Sequence, residues 1–164
     1  MMKEAHLALG ATLAADGIPL HYGDQAAEYA AALSAVVIME RSHEGRLMLT
    51  GRDRLALLQR MSTNNVEVLT ENTGAPTIFT NPNGRILDRV TVFHRGESAL
   101  LLTEPGRGGA VRDYLMRNIF FNDDVHVNDL SETHTQFVLL GVAADRLVHH
   151  FLPAEPSFEL FQNH

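Results

Sequence analysis

Thr77-Ile78-Phe79-Thr80-Asn81-Pro82-Asn83-Gly84-Arg85-Ile86-Leu87-Asp88 is the stretch that decides the fold, because two strand patterns meet there at a turn. Proline presets one backbone dihedral, and asparagine and glycine tolerate left-handed values, so Asn81-Pro82-Asn83-Gly84 is a strong turn signal. A short strand at residues 77–80 leads into the turn, and a long strand from Arg85 to Arg95 returns from it. The pattern therefore predicts an antiparallel hairpin.

Asp88 is the most informative residue of the returning strand. Side chains alternate between the two faces of a strand, which places Asp88 with Ile86, Val90 and Val92, and Leu87 on the opposite, more polar face. A carboxylate on an apolar face needs a partner or must become neutral. A ligand site is one reason to keep it there. The alternatives are a salt bridge, a hydrogen bond that supports the turn, or a bulge that reverses the alternation.

The rest of the chain alternates helical and extended patterns around this hairpin. Helices are predicted where apolar residues recur at helical spacing, and strands where short apolar runs end at turn formers. The predicted helices cover 25–33, 53–63, 108–119 and 141–151, and the further strands cover 46–50, 98–103, 124–128 and 135–140. This order predicts an α+β fold with a mixed, mainly antiparallel sheet and helices on one side.

Composition excludes several classes of function. The chain has 164 residues, of which 45% are hydrophobic and 20% charged, as expected for one globular domain. Its net charge of −7 makes nucleic acid an unsuitable partner, and no apolar run is long enough to span a membrane. No cysteine is present, which removes disulfides, cysteine nucleophiles and thiolate metal ligands. With no secretory signal at the start, we expect a cytoplasmic protein.

The other chemistry-bearing residues give weaker signals. None of the nine histidines has a familiar metal-ligand spacing, and the adjacent His149 and His150 diverge on a helix, so no metal site is predicted. The glycine-rich segment from Glu104 to Gly109 lacks the residues of a nucleotide-binding loop, which favours a loop that caps the next helix. No serine–histidine–acid set can be assigned.

Six segments together resemble the aminomethyltransferase family of folate-binding proteins over roughly residues 15–150. Each motif is short, and their order and spacing carry the resemblance. They are Gly17 to Tyr22, Glu40-Arg41-Ser42-His43-Glu44-Gly45-Arg46, Thr50-Gly51-Arg52-Asp53-Arg54 with Leu58-Gln59, Thr63-Asn64-Asn65-Val66, Gly84-Arg85-Ile86-Leu87-Asp88 and Val138-Leu139-Leu140-Gly141.

The resemblance implies a fold, a cofactor and three site residues. The implied fold is the first half of a duplicated folate-binding domain, with residues 1–152 as its first subdomain and 153–164 as a tail or the start of the second half. The implied cofactor is tetrahydrofolate or a related reduced folate, bound by Asp88, Asn64 and Tyr22. Asp88 is also the implied catalytic residue, because a carboxylate there stabilises developing positive charge.

The resemblance leaves two functions open. Glycine cleavage T-proteins transfer a methylene group to tetrahydrofolate, whereas YgfZ-like proteins bind folate and assist iron–sulfur enzymes. Arg85 after the glycine, and Arg89 where the family usually has a second acidic residue, favour the YgfZ-like branch. We therefore expect a folate-binding protein that supports iron–sulfur enzymes or one-carbon metabolism, with a folate-dependent aminomethyltransferase as the alternative. Glycine cleavage partners are also open, and a homodimer would cover the apolar surface left by a missing half.

Overall fold

A computed structural model of the protein describes residues 2–151, which form five helices and nine strands. The helices are α1 Met2–Ala8, α2 Gln25–Ser34, α3 Arg54–Met61, α4 Gly108–Arg117 and α5 Ala144–Phe151. The strands are β1 Thr12–Leu13, β2 Pro19–His21, β3 Val37–Glu40, β4 Glu44–Thr50, β5 Gly74–Thr80, β6 Ile86–Arg95, β7 Ser98–Pro105, β8 His126–Asp129 and β9 Phe137–Leu140. Within the described residues, no helix has the length and apolar character needed to cross a membrane.

The chain divides into two compact units. The central unit is Arg41–Gln136, and the terminal unit combines Met1–Glu40 with Phe137–His164. In the terminal unit, β1 pairs with β2 and β3 pairs with β9, both antiparallel. The segment 153–164, predicted as a tail or the start of a second half, lies outside the described residues. A single subdomain over residues 1–152 stays a prediction.

A five-stranded sheet forms the central unit, in the order β5-β6-β7-β4-β8 with every neighbouring pair antiparallel. The α+β class is therefore confirmed. Helices α3 and α4 share one apolar core with the inward side chains of the strands, so both pack on the same side of this sheet. The core residues are Leu47, Leu49, Leu57, Leu58, Val66, Phe79, Val90, Val92, Ala99, Leu101, Val111, Leu115 and Val125.

The short elements of the terminal unit were not predicted from the sequence. Helix α1 and strands β1 to β3 span only two to seven residues each, too few to show a helical or alternating period. Two element boundaries differ from the predicted ones. Helix α4 ends at Arg117 and not at residue 119, and strand β5 begins at Gly74 and not at Thr77. The last helix begins at Ala144, because Gly141 has a φ of 130° that a helix does not accept.

A bulge beside the turn changes which side chains of β6 face the core. Phe79 lies opposite Asp88 but Thr80 lies opposite Ile86, so Leu87 is the extra residue. Ile86 is consequently 68% exposed, while Leu87 packs against the core. The prediction that Ile86 shares the apolar face with Asp88 was therefore wrong, and the same prediction for Val90 and Val92 is confirmed, because both are buried.

Helix α4 reaches the sheet through a backbone contact between two glycines. A Cβ added to Gly45 of β4 would lie 2.3 Å from the Cα of Gly108, at the start of α4, and 2.6 Å from Oγ1 of Thr103. The N–H of Gly45 also donates to Thr103 Oγ1 at 3.0 Å. Only two residues without side chains allow the first turn of α4 to lie this close to β4.

Gly45→Ala is therefore expected to destabilise the protein by about 1–3 kcal/mol, because the added methyl group meets backbone that cannot move aside locally. Chemical denaturation checks this value. The control is Gly109→Ala in the same helix, whose Cβ has no neighbour within 4 Å. That change should be neutral or stabilising by up to about 1 kcal/mol. Equal midpoints for Gly45→Ala and the parent protein would contradict the close contact.

Candidate functional site

Asp88 lines a cavity of about 160 Å³ in the central unit. The strand pairing sets it opposite Phe79, and only 5% of the residue is exposed. Side chains from β5, β6 and α4 form the walls, so the cavity lies between the hairpin and the helix. The lining residues are Phe79, Leu87, Asp88, Arg107, Ala110, Val111, Tyr114 and Arg117.

The carboxylate of Asp88 has an ion-pair partner but one oxygen without a hydrogen bond. Arg107 Nε lies 3.5 Å from Asp88 Oδ2, close enough for charge attraction. Oδ2 is fully buried and has no hydrogen-bond partner within the described part of the chain. The salt bridge that the sequence left as an alternative is therefore present, yet it does not satisfy the hydrogen-bonding capacity of this oxygen.

Burial raises the pKa of Asp88 above its ordinary range, because removing the carboxylate from water penalises the charged form. The positive charge of Arg107 and the backbone N–H of Arg89 oppose this rise, and the negative charge of Glu104 adds to it. Desolvation is the largest of these contributions. The folded protein therefore holds an acid whose neutral form is favoured more than in a solvent-exposed aspartate.

Arg107 occupies the N-cap position of α4 and was not predicted as a site residue. Its Nη2 donates to the carbonyl of Leu87 at 2.9 Å, and its side chain is 46% exposed. The sequence signal was present in the segment from Glu104 to Gly109, which was interpreted only as a loop that caps the helix. The segment does lead into α4, but the side chain of Arg107 makes no capping hydrogen bond, and its pairing with Asp88 depends on the approach of α4 to β6.

Tyr114 lines this cavity and also a second one. Its ring lies 5.8 Å from that of Phe79, and its hydroxyl donates to the carbonyl of Thr80 at 2.9 Å. Burial raises the pKa of Tyr114. The second cavity, of about 290 Å³, is lined by Arg60, Met61, Ser62, Thr80, Asn81, Pro82, Tyr114 and Asn118. The aromatic ring thus forms part of the wall of both spaces.

Asn64 also belongs to the central unit but does not line the cavity at Asp88. Its Nδ2 donates to the carbonyl of Pro76 at 3.0 Å, and its N–H donates to Thr77 Oγ1 at 3.2 Å. These bonds attach the segment after α3 to strand β5. A role for Asn64 in cofactor binding stays a prediction.

Tyr22 lies in the terminal unit, within a small polar group. Its hydroxyl is 2.6 Å from His6 Nδ1, and His6 Nε2 bonds the carboxylate of Glu40. His6 and Glu40 are buried, whereas Tyr22 is 40% exposed. Desolvation and then the charges of Glu40 and Glu28 raise the pKa of Tyr22. The structure gives Tyr22 a partner within its own unit, and its proposed contact with a cofactor stays a prediction.

Metal ligands are not grouped anywhere in residues 2–151. No set of three or more histidine, aspartate or glutamate side chains there could hold a metal ion. The candidate site consists of Asp88, its ion-pair partner Arg107 and the apolar residues that line the same cavity.

Comparison with known proteins matches the chain to a family. The profile of the family described as GCVT N-terminal domain matches residues 2–162. A putative chloroplastic transferase of Arabidopsis thaliana is 27% identical over 139 residues, which is 85% of this chain and 32% of the relative. An aminomethyltransferase of Geobacillus kaustophilus is 26% identical over 131 residues, which is 80% of this chain and 36% of the relative.

A solved structure shares the fold. The glycine cleavage system aminomethyltransferase T from Bartonella henselae superposes with a TM-score of 0.82 at 20% identity, covering 90% of this chain and 41% of that one. At this identity the similarity establishes the fold alone. The chain spans about a third of the length of the curated relatives that it matches.

Asp88→Asn is expected to raise the free energy of unfolding at pH 7. The pKa of Asp88 is higher in the folded protein than in the unfolded chain, so the protonated side chain favours folding. This contribution is complete at a pH below the pKa of the unfolded chain, and it is lost as the pH rises through the pKa of the folded protein. Asparagine does not ionise and avoids this loss. The advantage of the variant should shrink as the pH is lowered, which denaturation at a series of pH values measures.

Asp123→Asn is the control, and its effect on the free energy of unfolding should have the opposite sign. A hydrogen bond from the backbone N–H of Phe120 lowers the pKa of Asp123, and a smaller contribution comes from the side chain of Arg60. The carboxylate of Asp123 therefore stabilises the fold at neutral pH, and this stabilisation is lost as the pH falls. This variant should be less stable than the parent at pH 7. If Asp88→Asn is also less stable at pH 7 and recovers on acidification, the assigned environment of Asp88 is incorrect.

Proposed function

The chain belongs to the GCVT N-terminal domain family, and we propose that it binds tetrahydrofolate or a related reduced folate with the pterin ring beside Asp88. One observation carries the proposal: Asp88 lines a cavity, and its buried Oδ2, which Arg107 approaches to 3.5 Å, lacks a hydrogen-bond partner among the described residues. A buried polar atom of this kind is costly unless a ligand satisfies it.

The walls of the cavity suit a flat heterocycle. Phe79, Leu87, Val111 and Tyr114 supply apolar and aromatic surface, and Asp88 supplies the acceptor. A pterin carries amino and ring N–H groups on one edge, which match a carboxylate acceptor. The fit therefore combines stacking on the faces of the ring with hydrogen bonding at one edge.

The size of the cavity limits what it holds. Sites for drug-sized ligands measure roughly 300–1,000 Å³, whereas this cavity measures about 160 Å³. In this proposal the cavity would hold the ring system of a folate and leave the remainder of the ligand outside.

Asp88 has a chemical role in this proposal besides binding. A bound reduced folate would supply the amine nitrogens that accept a one-carbon unit. The carboxylate of Asp88, held in low dielectric, stabilises positive charge that develops on such nitrogens. Arg107 restrains the position of the carboxylate, and its exposed side chain can move away when a ligand takes over the negative charge.

Two functions follow from folate binding, and different observations favour each. The aminomethyltransferase names of the relatives favour transfer of a methylene group to tetrahydrofolate, with glycine cleavage proteins as partners. Arg85 and Arg89 favour the YgfZ-like role, in which folate binding supports iron–sulfur enzymes without turnover. A cytoplasmic location and a homodimer accompany both as predictions.

Tetrahydrofolate is expected to bind the protein with a micromolar dissociation constant, and Asp88→Asn should weaken binding roughly tenfold to a hundredfold. The reason is the loss of a charge-assisted hydrogen bond of about 1.5–3 kcal/mol. Isothermal titration calorimetry under anaerobic conditions measures both constants. Asp113→Asn is the matched control, because Asp113 is exposed on α4 and pairs with Arg112 outside the cavity. Equal affinities of the parent protein and Asp88→Asn would refute the proposed site.

Transfer activity distinguishes the two functions. A T-protein-like enzyme should form methylenetetrahydrofolate, with release of ammonia and the free carrier thiol, when it is mixed with tetrahydrofolate and an aminomethyl-loaded carrier protein. Asp88→Asn should then lower kcat by at least about tenfold, because one stabilising charge is lost in the transition state. Folate binding without product, measured by absorbance and chromatography, would instead support the YgfZ-like role.

A further inference from the structure

We propose that Arg107 makes the cavity at Asp88 selective for the charge of its ligand: the cavity accepts a neutral ring that carries N–H donors and disfavours a cationic one. The inference rests on the proposed function, because it concerns the space assigned to the pterin ring. It goes further by naming the residue that decides which flat rings of similar size are bound.

Arg107 already compensates the charge of Asp88. Its Nε lies 3.5 Å from Asp88 Oδ2, and the side chain of Asp88 is only 3% exposed. Nη2 of Arg107 donates to the carbonyl of Leu87, the bulge residue next to Asp88, at 2.9 Å. The side chain makes no capping hydrogen bond to α4, although Arg107 occupies the N-cap position. The guanidinium therefore has two contacts on the hairpin, and a competitor must break both to replace it.

Oδ2 of Asp88 lacks a hydrogen-bond donor, whereas a positive charge is already beside it. N–H···O hydrogen bonds span about 2.7–3.2 Å, so a separation of 3.5 Å supplies attraction without a good hydrogen bond. No other residue in the described part of the chain donates to this oxygen. Arg107 is 46% exposed, and a small displacement of its side chain would open Oδ2 to an N–H donor of the ligand. An uncharged donor thus completes the hydrogen bonding of Asp88 and leaves its charge compensated by Arg107.

A cationic ring meets an unfavourable charge balance in the same cavity. The charged residues that line it are one acid, Asp88, and two bases, Arg107 and Arg117. A cation that left Arg107 in place would lie beside a like charge, which repels it. A cation that replaced Arg107 would break the contacts of Arg107 with Asp88 and with the carbonyl of Leu87. Either route weakens the binding of a cation, and a neutral donor avoids both.

The test compares two flat probes in the otherwise unchanged protein. Tetrahydropterin carries neutral N–H donors, and benzamidine is a ring whose amidinium keeps its positive charge at neutral pH. Anaerobic calorimetry at pH 7 measures both affinities in the parent protein, Arg107→Gln and Arg107→Lys. The control is Arg112→Gln, because Arg112 pairs with Asp113 outside the cavity.

The parent protein should bind tetrahydropterin more tightly than benzamidine. Arg107→Gln should bind benzamidine roughly tenfold more tightly than the parent protein does, because the like charge and the competitor for Asp88 are both removed. Arg107→Lys and Arg112→Gln should keep the affinities of the parent protein, since the first retains the charge and the second lies outside the cavity.

Two further variants locate the effect. The double variant Asp88→Asn with Arg107→Gln should lose the gain in benzamidine affinity, because asparagine has no charge that pairs with the amidinium. Arg107→Met removes the charge while it keeps a long side chain, and it replaces Arg107→Gln if denaturation shows that Arg107→Gln does not fold.

An unchanged benzamidine affinity in Arg107→Gln and Arg107→Met overturns the role of Arg107, even if tetrahydrofolate binds as proposed. A gain that persists in the double variant, or that Arg107→Lys shares, also overturns it, because the cation then binds elsewhere or the charge has no role. If tetrahydrofolate binds none of the proteins but the benzamidine affinity rises in Arg107→Gln, the charge selectivity stands and the proposed function fails. If neither probe nor tetrahydrofolate binds any of the proteins, both fail.

Discussion

The contact between the backbones of Gly45 and Gly108 is the constraint on which the candidate site depends. It brings the first turn of α4 against β4 at a distance that no Cβ allows. From that point the helix runs over the sheet and buries Val111 and Leu115 in the core. The N-cap residue Arg107 consequently lies beside Asp88, and the cavity forms between the helix and the hairpin. A helix held one side chain further away would leave Asp88 in a wider, wetter groove.

Burial of the Asp88 carboxylate costs free energy rather than stabilising the fold. Its burial raises its pKa, and its pairing with Arg107 leaves one oxygen without a hydrogen bond. An apolar residue of similar volume would serve the fold at least as well, because buried ion pairs rarely repay their desolvation. The neighbouring bulge adds to this environment, since it turns Leu87 inward and Ile86 outward. The chain thus keeps a costly acceptor at the edge of a cavity.

The two compact units separate the three predicted site residues. Asp88 and Asn64 lie in the central unit, while Tyr22 lies in the terminal unit with His6 and Glu40. The central unit contains almost all of the buried apolar core. In the described part of the terminal unit, the buried residues are His6, Ala11 and Glu40, and large apolar side chains such as Leu9 and Tyr29 are exposed. The central unit therefore contains the cavity at Asp88, and the terminal unit contains the polar group formed by His6, Tyr22 and Glu40.

The sequence by itself determined the features that neighbouring residues control. The turn at Asn81-Pro82-Asn83-Gly84, the burial of Val90 and Val92, and the inward side chain of Asp88 all follow from local dihedral preferences and the two-residue period of a strand. The order of the predicted helices and strands supplied the fold class, and the family resemblance supplied the ligand to test. Only the tertiary structure decided the bulge at Leu87, the pairing of Asp88 with Arg107 and the position of Arg117. Those depend on how α4 meets the sheet, and contacts between residues far apart in sequence leave no periodic signal in the chain.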